Sequence, residues 1–162
     1  MPVGNRVERE MPGKTAATSN DPKPHAQKRV HGGPEAVATV LVIDDSVEQG
    51  ELIRLTLERM NLRVFHATHG HQALDVLHAV HPDLVLLDVA LPDMSGWDVL
   101  ETMREQQRGS GGPVILVVTA YHDPANRLMG KLQGVRDYLL KPLTSGQVER
   151  AVDQALKLPP NE

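Results

Sequence analysis

Leu84, Val85, Leu86 and Leu87 form an unbroken apolar run that ends at Asp88. A strand with one wet face alternates apolar and polar residues, whereas a strand covered on both faces does not. The run therefore predicts a strand in the interior of a parallel sheet. The stretch after it, Val89-Ala90-Leu91-Pro92-Asp93-Met94-Ser95-Gly96, is too rich in Pro, Gly and Asp to continue a strand. Asp88 falls at the C-terminal end of that strand, where open α/β sheets place their ligands.

The same grammar repeats along the chain. Thr39–Ile43 is a β-branched and aliphatic run that ends in Asp44-Asp45. Ser46 opens a helix carrying Val47, Leu52, Ile53, Leu57 and Met60 at helical spacing, and Asn61 marks its end. Residues 62–67 are a short second strand, and 70–80 a helix with Ala73, Leu74, Leu77 and Val80 on one side, stopped by His81-Pro82. After Asp88, Ser95 and Asp98 form a capping signature for a helix that buries Trp97, Leu100 and Met103. A glycine-rich loop spans 108–112. Val114–Val118 is a fourth strand ending in Thr119, and Asp123-Pro124 gives an N-cap and first-turn proline for a fourth helix. Residues 137–140 are a fifth strand ending in Lys141-Pro142. Thr144 and Gln147 make a capping box for the last helix, lined by Val148, Val152, Ala155 and Leu156.

Five strand-then-helix units imply a parallel sheet with right-handed crossovers and helices on both faces. In such a sheet the strand ends share one edge. Asp44, Asp45, Asp88, Thr119 and Lys141 all fall there.

Composition narrows the function. Net charge is −4, and only Phe65, Trp97, Tyr121 and Tyr138 are aromatic. Neither a basic field nor a base-stacking surface for nucleic acid is expected. Without cysteine there is no disulfide, thiol nucleophile or Cys-based zinc site. No apolar run approaches the ~20 residues of a membrane span, so the expectation is a cytoplasmic protein. His66, His69, His71, His78 and His81 lack any CxxC or HExxH frame and read as surface histidines. Residues 1–36 are punctuated by proline and glycine and nearly devoid of apolar pattern, which predicts a disordered tail. The expected domain spans 37–158, followed by a short tail over 159–162.

Three carboxylates in one pocket repel: two unit charges ~4 Å apart cost about 1 kcal/mol in water and about 4 kcal/mol at an effective dielectric constant of 20. Either a proton stays on or a cation binds. An all-oxygen ligand set suits a hard ion such as Mg²⁺. Thr119 offers a hydroxyl and Lys141 a point charge, both suited to a phosphoryl group. With Asp44 and Asp45 on the metal, Asp88 remains as the nucleophile, and carboxylates do form aspartyl phosphates.

In this order, Val-Leu-Val-Ile-Asp-Asp (40–45), Pro-Asp-Leu-Val-Leu-Leu-Asp (82–88), Leu-Pro-Asp-Met-Ser-Gly (91–96), Thr119-Ala120 and Asp-Tyr-Leu-Leu-Lys-Pro (137–142) resemble the receiver domain of two-component response regulators. The resemblance covers about residues 38–158. It implies a flavodoxin-like doubly wound sheet of strand order 2-1-3-4-5. It implies that Asp88 takes a phosphoryl group from a sensor histidine kinase or a histidine phosphotransfer protein. Asp44, Asp45 and Asp88, with the backbone carbonyl of Ala90, would hold Mg²⁺, and Thr119 and Lys141 would contact the phosphoryl oxygens. Tyr138 matches the family's switch aromatic, and Lys141-Pro142 a bond usually cis in the family. A partner would read the face formed by the fourth helix, fifth strand and fifth helix. Val135 stands where the family often has alanine. With no output domain after the last helix, a stand-alone receiver is expected, acting through protein contacts and catalysing only its own phosphorylation and dephosphorylation. The alternative is a Mg²⁺-dependent phosphatase or phosphotransferase with an aspartyl nucleophile. Such enzymes commonly carry a second Asp two residues after the nucleophile, where this chain has Ala90.

Overall fold

A computed structural model describes residues 37–109, 111–120 and 123–157. The expected tails over 1–36 and 159–162, together with Ser110 and Tyr121, lie outside the described residues. The elements run β1 (Thr39–Ile43), α1 (Val47–Arg59), β2 (Arg63–Ala67), α2 (Gly70–Val80), β3 (Leu84–Asp88), α3 (Gly96–Gln106), β4 (Val114–Thr119), α4 (Pro124–Leu132), β5 (Asp137–Leu140) and α5 (Ser145–Lys157). All strand pairs are parallel and the sheet order is β2-β1-β3-β4-β5, the doubly wound flavodoxin-like arrangement.

The apolar runs behave as strands of that kind must. Every residue of β1 and β3 is buried, with even and odd positions feeding opposite faces. Val40, Val42, Leu84, Leu86, Leu116 and Val118 pack with α1 and α5. Leu41, Ile43, Val85, Leu87, Ile115 and Val117 pack with α2 and α3. The flanking strands β2 and β5 are only partly covered.

The helix boundaries are chemical. Ser46 caps α1 by accepting the Gln49 N–H at 3.2 Å, and Asp123 caps α4 by accepting that of Asn126 at 2.8 Å. Thr144 and Gln147 form the reciprocal box, at 3.2 and 2.9 Å. Asn61 leaves α1 with φ of 61° and His81 ends α2 with φ of 50°, both left-handed stops. At α3 the cap differs from expectation. Ser95 Oγ accepts from Trp97 N, while Asp98 N donates to the Ser95 carbonyl.

Two expectations about buried faces need correction. The inner face of α1 is Gly50, Ile53, Thr56 and Leu57, whereas Val47 is 63% and Leu52 38% exposed. Val47 sits in the first turn, beyond the end of β1, and Leu52 is rotated about 100° from Ile53. Thr56 takes an inward place because its hydroxyl donates to the Leu52 carbonyl at 2.7 Å. In α3, Leu100 and Met103 are buried as expected, joined by Val99, but Trp97 is only half-buried. Its indole N–H donates to Asn126 Oδ1 of α4 at 3.0 Å, which holds the ring between two helices instead of under one. The second strand starts at Arg63, one residue later than expected, although Leu62 still packs on the core.

The corrected face makes a test within one helix. Leu57→Ala should cost about 2–5 kcal/mol by leaving a cavity, and Leu55→Gln should stay within about 0.5 kcal/mol. Urea unfolding of the two variants measures both.

Candidate functional site

The sheet edge collects its polar groups because β1, β3, β4 and β5 all end there in register. Asp88 pairs across with Val118, and Thr119 with Leu140. Asp44 continues β1 one step past Ile43, which faces Leu87. Asp44, Asp45 and Asp88 each present a carboxylate oxygen within 4.8 Å of the others. Asp44 and Asp88 are buried and Asp45 is exposed. One side of the cluster is closed and the other is open to solvent.

Lys141 reaches in from the end of β5. Its Nζ lies 2.7 Å from Asp44 Oδ2 and 2.8 Å from Asp88 Oδ2. Its backbone N–H donates to the Thr119 carbonyl at 2.8 Å, which fixes the root of the side chain, and the Lys141–Pro142 bond is cis. The remaining carboxylate oxygens also have partners. Asp44 Oδ1 accepts Ser46 N–H and Asp88 Oδ1 accepts Ala90 N–H, each at 2.9 Å.

The electrostatics remain out of balance. Burial pushes the Asp88 carboxyl above the usual carboxylate range. The hydrogen bonds from Lys141 and Ala90 oppose that push without cancelling it, and the Asp44 charge adds to it. For Lys141, burial acts downward, but hydrogen bonds to Asp44 and Asp88 outweigh it and hold the ammonium above its ordinary value. One cation bridges two of three clustered carboxylates. The oxygen-only donor set and its open side fit a hard divalent cation.

Thr119 is fully buried at the end of β4, between the strands of Asp88 and Lys141. Tyr138 is half-buried on the α2–α3 side of the sheet. A side chain added at Gly130 of α4 would touch both Tyr138 and Trp97 at 3.7 Å. Burial raises the Tyr138 hydroxyl above its ordinary pKa, reinforced by Asp123. The backbone at Ala90 bridges to Ser95, and Gly96 N–H donates to the Val89 carbonyl at 2.8 Å. A Cβ at Gly96 would stand 2.5 Å from the Asp88 carbonyl oxygen, so only glycine lets this loop close over β3.

Sequence reasoning missed two supports. Asp93 accepts Gly70 N–H at 2.7 Å, His71 N–H at 3.0 Å and the His71 ring at 2.6 Å. Its carboxyl is held well below the usual range, chiefly by those two backbone hydrogen bonds. This ties the loop after Asp88 to the start of α2, where Met94 also packs against Gly70. The second is His66, which is not a surface histidine. It lies half-buried against Gly50 of α1 and bonds the Asp44 carbonyl at 2.9 Å. The available signal was parity, since His66 shares its side of β2 with Val64. The other four histidines are exposed. Among the described residues, no helix is long and apolar enough to cross a membrane.

A family model described as the response regulator receiver domain matches residues 40–153. An uncharacterised 14.6 kDa protein of Leptolyngbya boryana is 34% identical over 75% of this chain and 93% of its own length. The probable transcriptional regulator ycf27 of Cyanophora paradoxa is 31% identical over 73% of this chain and 48% of the relative. The chain spans about half the length of such curated regulators. Among solved structures, the non-phosphorylated HemR receiver domain of Leptospira biflexa matches with a TM-score of 0.70 and 25% identity, over 77% of this chain and 98% of that one. The Vibrio cholerae chemotaxis protein CheY4 matches with a TM-score of 0.68 and 26% identity, over 74% and 99%.

The raised Asp88 pKa has a stability consequence. A carboxyl whose folded value lies above its unfolded value supports the fold when protonated, and that support is lost as pH rises through the folded value. Asp88→Asn should therefore raise the melting temperature of the metal-free protein at pH 7. The gain should shrink on acidification and vanish below about pH 4, near the ordinary carboxylate value. Thermal melts across that range check it.

Proposed function

This chain belongs to the response regulator receiver domain family of two-component signalling, and we propose that Asp88 is its phosphoacceptor. Receiver domains are signalling modules. The reading rests above all on one observation: Asp44, Asp45, Asp88 and Lys141 converge at the C-terminal edge of the sheet, with Asp88 on the central strand.

The donor in this reading is a phosphohistidine on a sensor kinase or phosphotransfer protein. An Asp88 oxygen forms the new O–P bond as the P–N bond breaks, and the electron pair leaves on the donor's nitrogen. Asp44, Asp45, Asp88 and the Ala90 carbonyl would hold Mg²⁺, which when bound offsets phosphoryl negative charge. Lys141 is anchored by its main-chain bond to Thr119, and its ammonium moves from the free carboxylates to a phosphoryl oxygen. The Ala90 N–H already points at Asp88 Oδ1 and serves as a second donor. Thr119 lies between the Asp88 and Lys141 strands and supplies a hydroxyl.

The switch follows from that demand. Pulling Thr119 toward a new dianion vacates space beside β4 and β5. Tyr138, already half-buried against the α4 side, turns further in. The α4–β5–α5 face then changes for a protein partner. A coupling of ~1–3 kcal/mol shifts partner affinity roughly 5–150-fold. The phosphatase alternative lacks an acid/base carboxylate at position 90, where the side chain is a methyl group.

Incubation with acetyl phosphate and Mg²⁺, followed by intact mass, tests the acceptor. Wild type should gain one phosphoryl group and Asp88→Asn none. Thr119→Ala should still accept the group, but its amide shifts over 123–138 should stay put. Labelling of Asp88→Asn, or catalytic turnover of other phosphate esters, would contradict the reading.

A further inference from the structure

Glycine in a helix interior costs about 1 kcal/mol relative to alanine, yet Gly50 sits on the inner face of α1. The His66 ring occupies the place a Cβ would take, in contact with the ideal position through Cε1, Nε2 and Nδ1. His66 stands opposite Val42 on β2, two residues before the acidic pair. From there its Nε2 lies 2.9 Å from the Asp44 carbonyl oxygen. A carbonyl only accepts, so the ring donates from Nε2, which both the neutral Nε2–H tautomer and the imidazolium can do. The bond therefore needs no change of charge.

That carbonyl belongs to the planar peptide linking Asp44 to Asp45. The Asp44 N–H is bound on the same strand, donating to the Ala67 carbonyl at 3.0 Å. β2 thus grips Asp44 from both its amide and its carbonyl side. The two carboxylates leave the backbone on either side of one fixed peptide plane. One is also tied to Ser46 N–H and to Lys141. Among the described residues the exposed Asp45 carboxylate has no hydrogen-bond partner, so that plane is what orients it.

We propose that His66, seated on Gly50, is a positioning residue that orients the Asp44–Asp45 peptide and thereby the cation site. This inference rests on the receiver reading above. Groups that orient metal ligands from behind typically contribute 10–100-fold in metal affinity. No contact between His66 and a bound cation is involved.

The test compares wild type, His66→Leu (similar volume, no donor), His66→Gln (an amide nitrogen near the Nε2 position) and Gly50→Ala, which displaces the ring. The first readout is the ¹³C shift of the Asp44 carbonyl in the metal-free proteins. It should move in His66→Leu and Gly50→Ala and return toward wild type in His66→Gln. The second is the Mg²⁺ dissociation constant from amide-shift titration. It should rise about ten-fold in His66→Leu and Gly50→Ala, with His66→Gln close to wild type. The third is phosphorylation by acetyl phosphate, which at saturating Mg²⁺ should proceed at near the wild-type rate in every folded variant. A loss of stability alone would not produce that split between affinity and rate. Wild-type affinity and an unmoved carbonyl shift in His66→Leu would overturn the inference alone, as would failure of His66→Gln to restore either. A wild type that binds no Mg²⁺ and takes no phosphoryl group would overturn the receiver reading and this inference together.

Discussion

The structure turns on one ammonium between two buried carboxylates. Lys141 bonds both Asp44 and Asp88 at hydrogen-bonding distance. Burying both carboxylates without the ammonium would be costly, and removing the lysine, which leaves two buried charges unpaired, strongly destabilises the fold. The strand order makes the pair possible. β1 and β3 are neighbours, so Asp44 and Asp88 are forced together, and β5 lies two strands from β3. Only a long side chain crosses β4 from there. Lysine supplies the reach, and the bond from its own N–H to the Thr119 carbonyl sets its origin. One ammonium does not neutralise three carboxylates. Burial pushes the Asp88 carboxyl upward, and the neighbouring Asp44 charge adds to that push. A site left short of positive charge fits a hard divalent cation.

The apolar sheet serves this arrangement by being unable to give. β1 and β3 are buried along their whole length and packed on both faces, so the strand ends cannot drift apart without opening a core. The loop after Asp88 is held as firmly. Gly96 allows the backbone to approach the Asp88 carbonyl, and Asp93 ties the loop to the start of α2. The parts left less constrained lie on the other side. α4 has one buried residue, Gly130, and keeps Leu128 and Leu132 exposed.

Much of this was legible in the residues, for reasons that differ by element. The interior strands announce themselves because burial on both faces leaves an unbroken apolar run, and their ends are marked where the run meets Asp44, Asp88 or Thr119. Capping at Ser46, Asp123 and Thr144 was legible because a short polar side chain and a helical pattern meet at fixed spacing. The inner face of α1 was misjudged because apolar residues were counted without knowing where the sheet ends. Val47 overhangs that end, and Thr56 goes inside by bonding its own helix. His66 was hidden by its residue type. A polar ring on a flanking strand reads as solvated until a facing glycine is seen to make room for it. Asp93 was hidden for another reason: its partners on α2 are distant in sequence, and no spacing rule reaches across them.

The central claim is that the sheet edge holds an undercompensated carboxylate cluster that takes a hard cation beside Asp88. Titration of the metal-free protein with Mg²⁺, followed by amide chemical shifts, tests it most directly. The account predicts saturable shifts centred on residues 44–46, 88–90 and 141, and their loss in Asp45→Asn. Shifts that fail to saturate, or that saturate with the same affinity in Asp45→Asn, would contradict it.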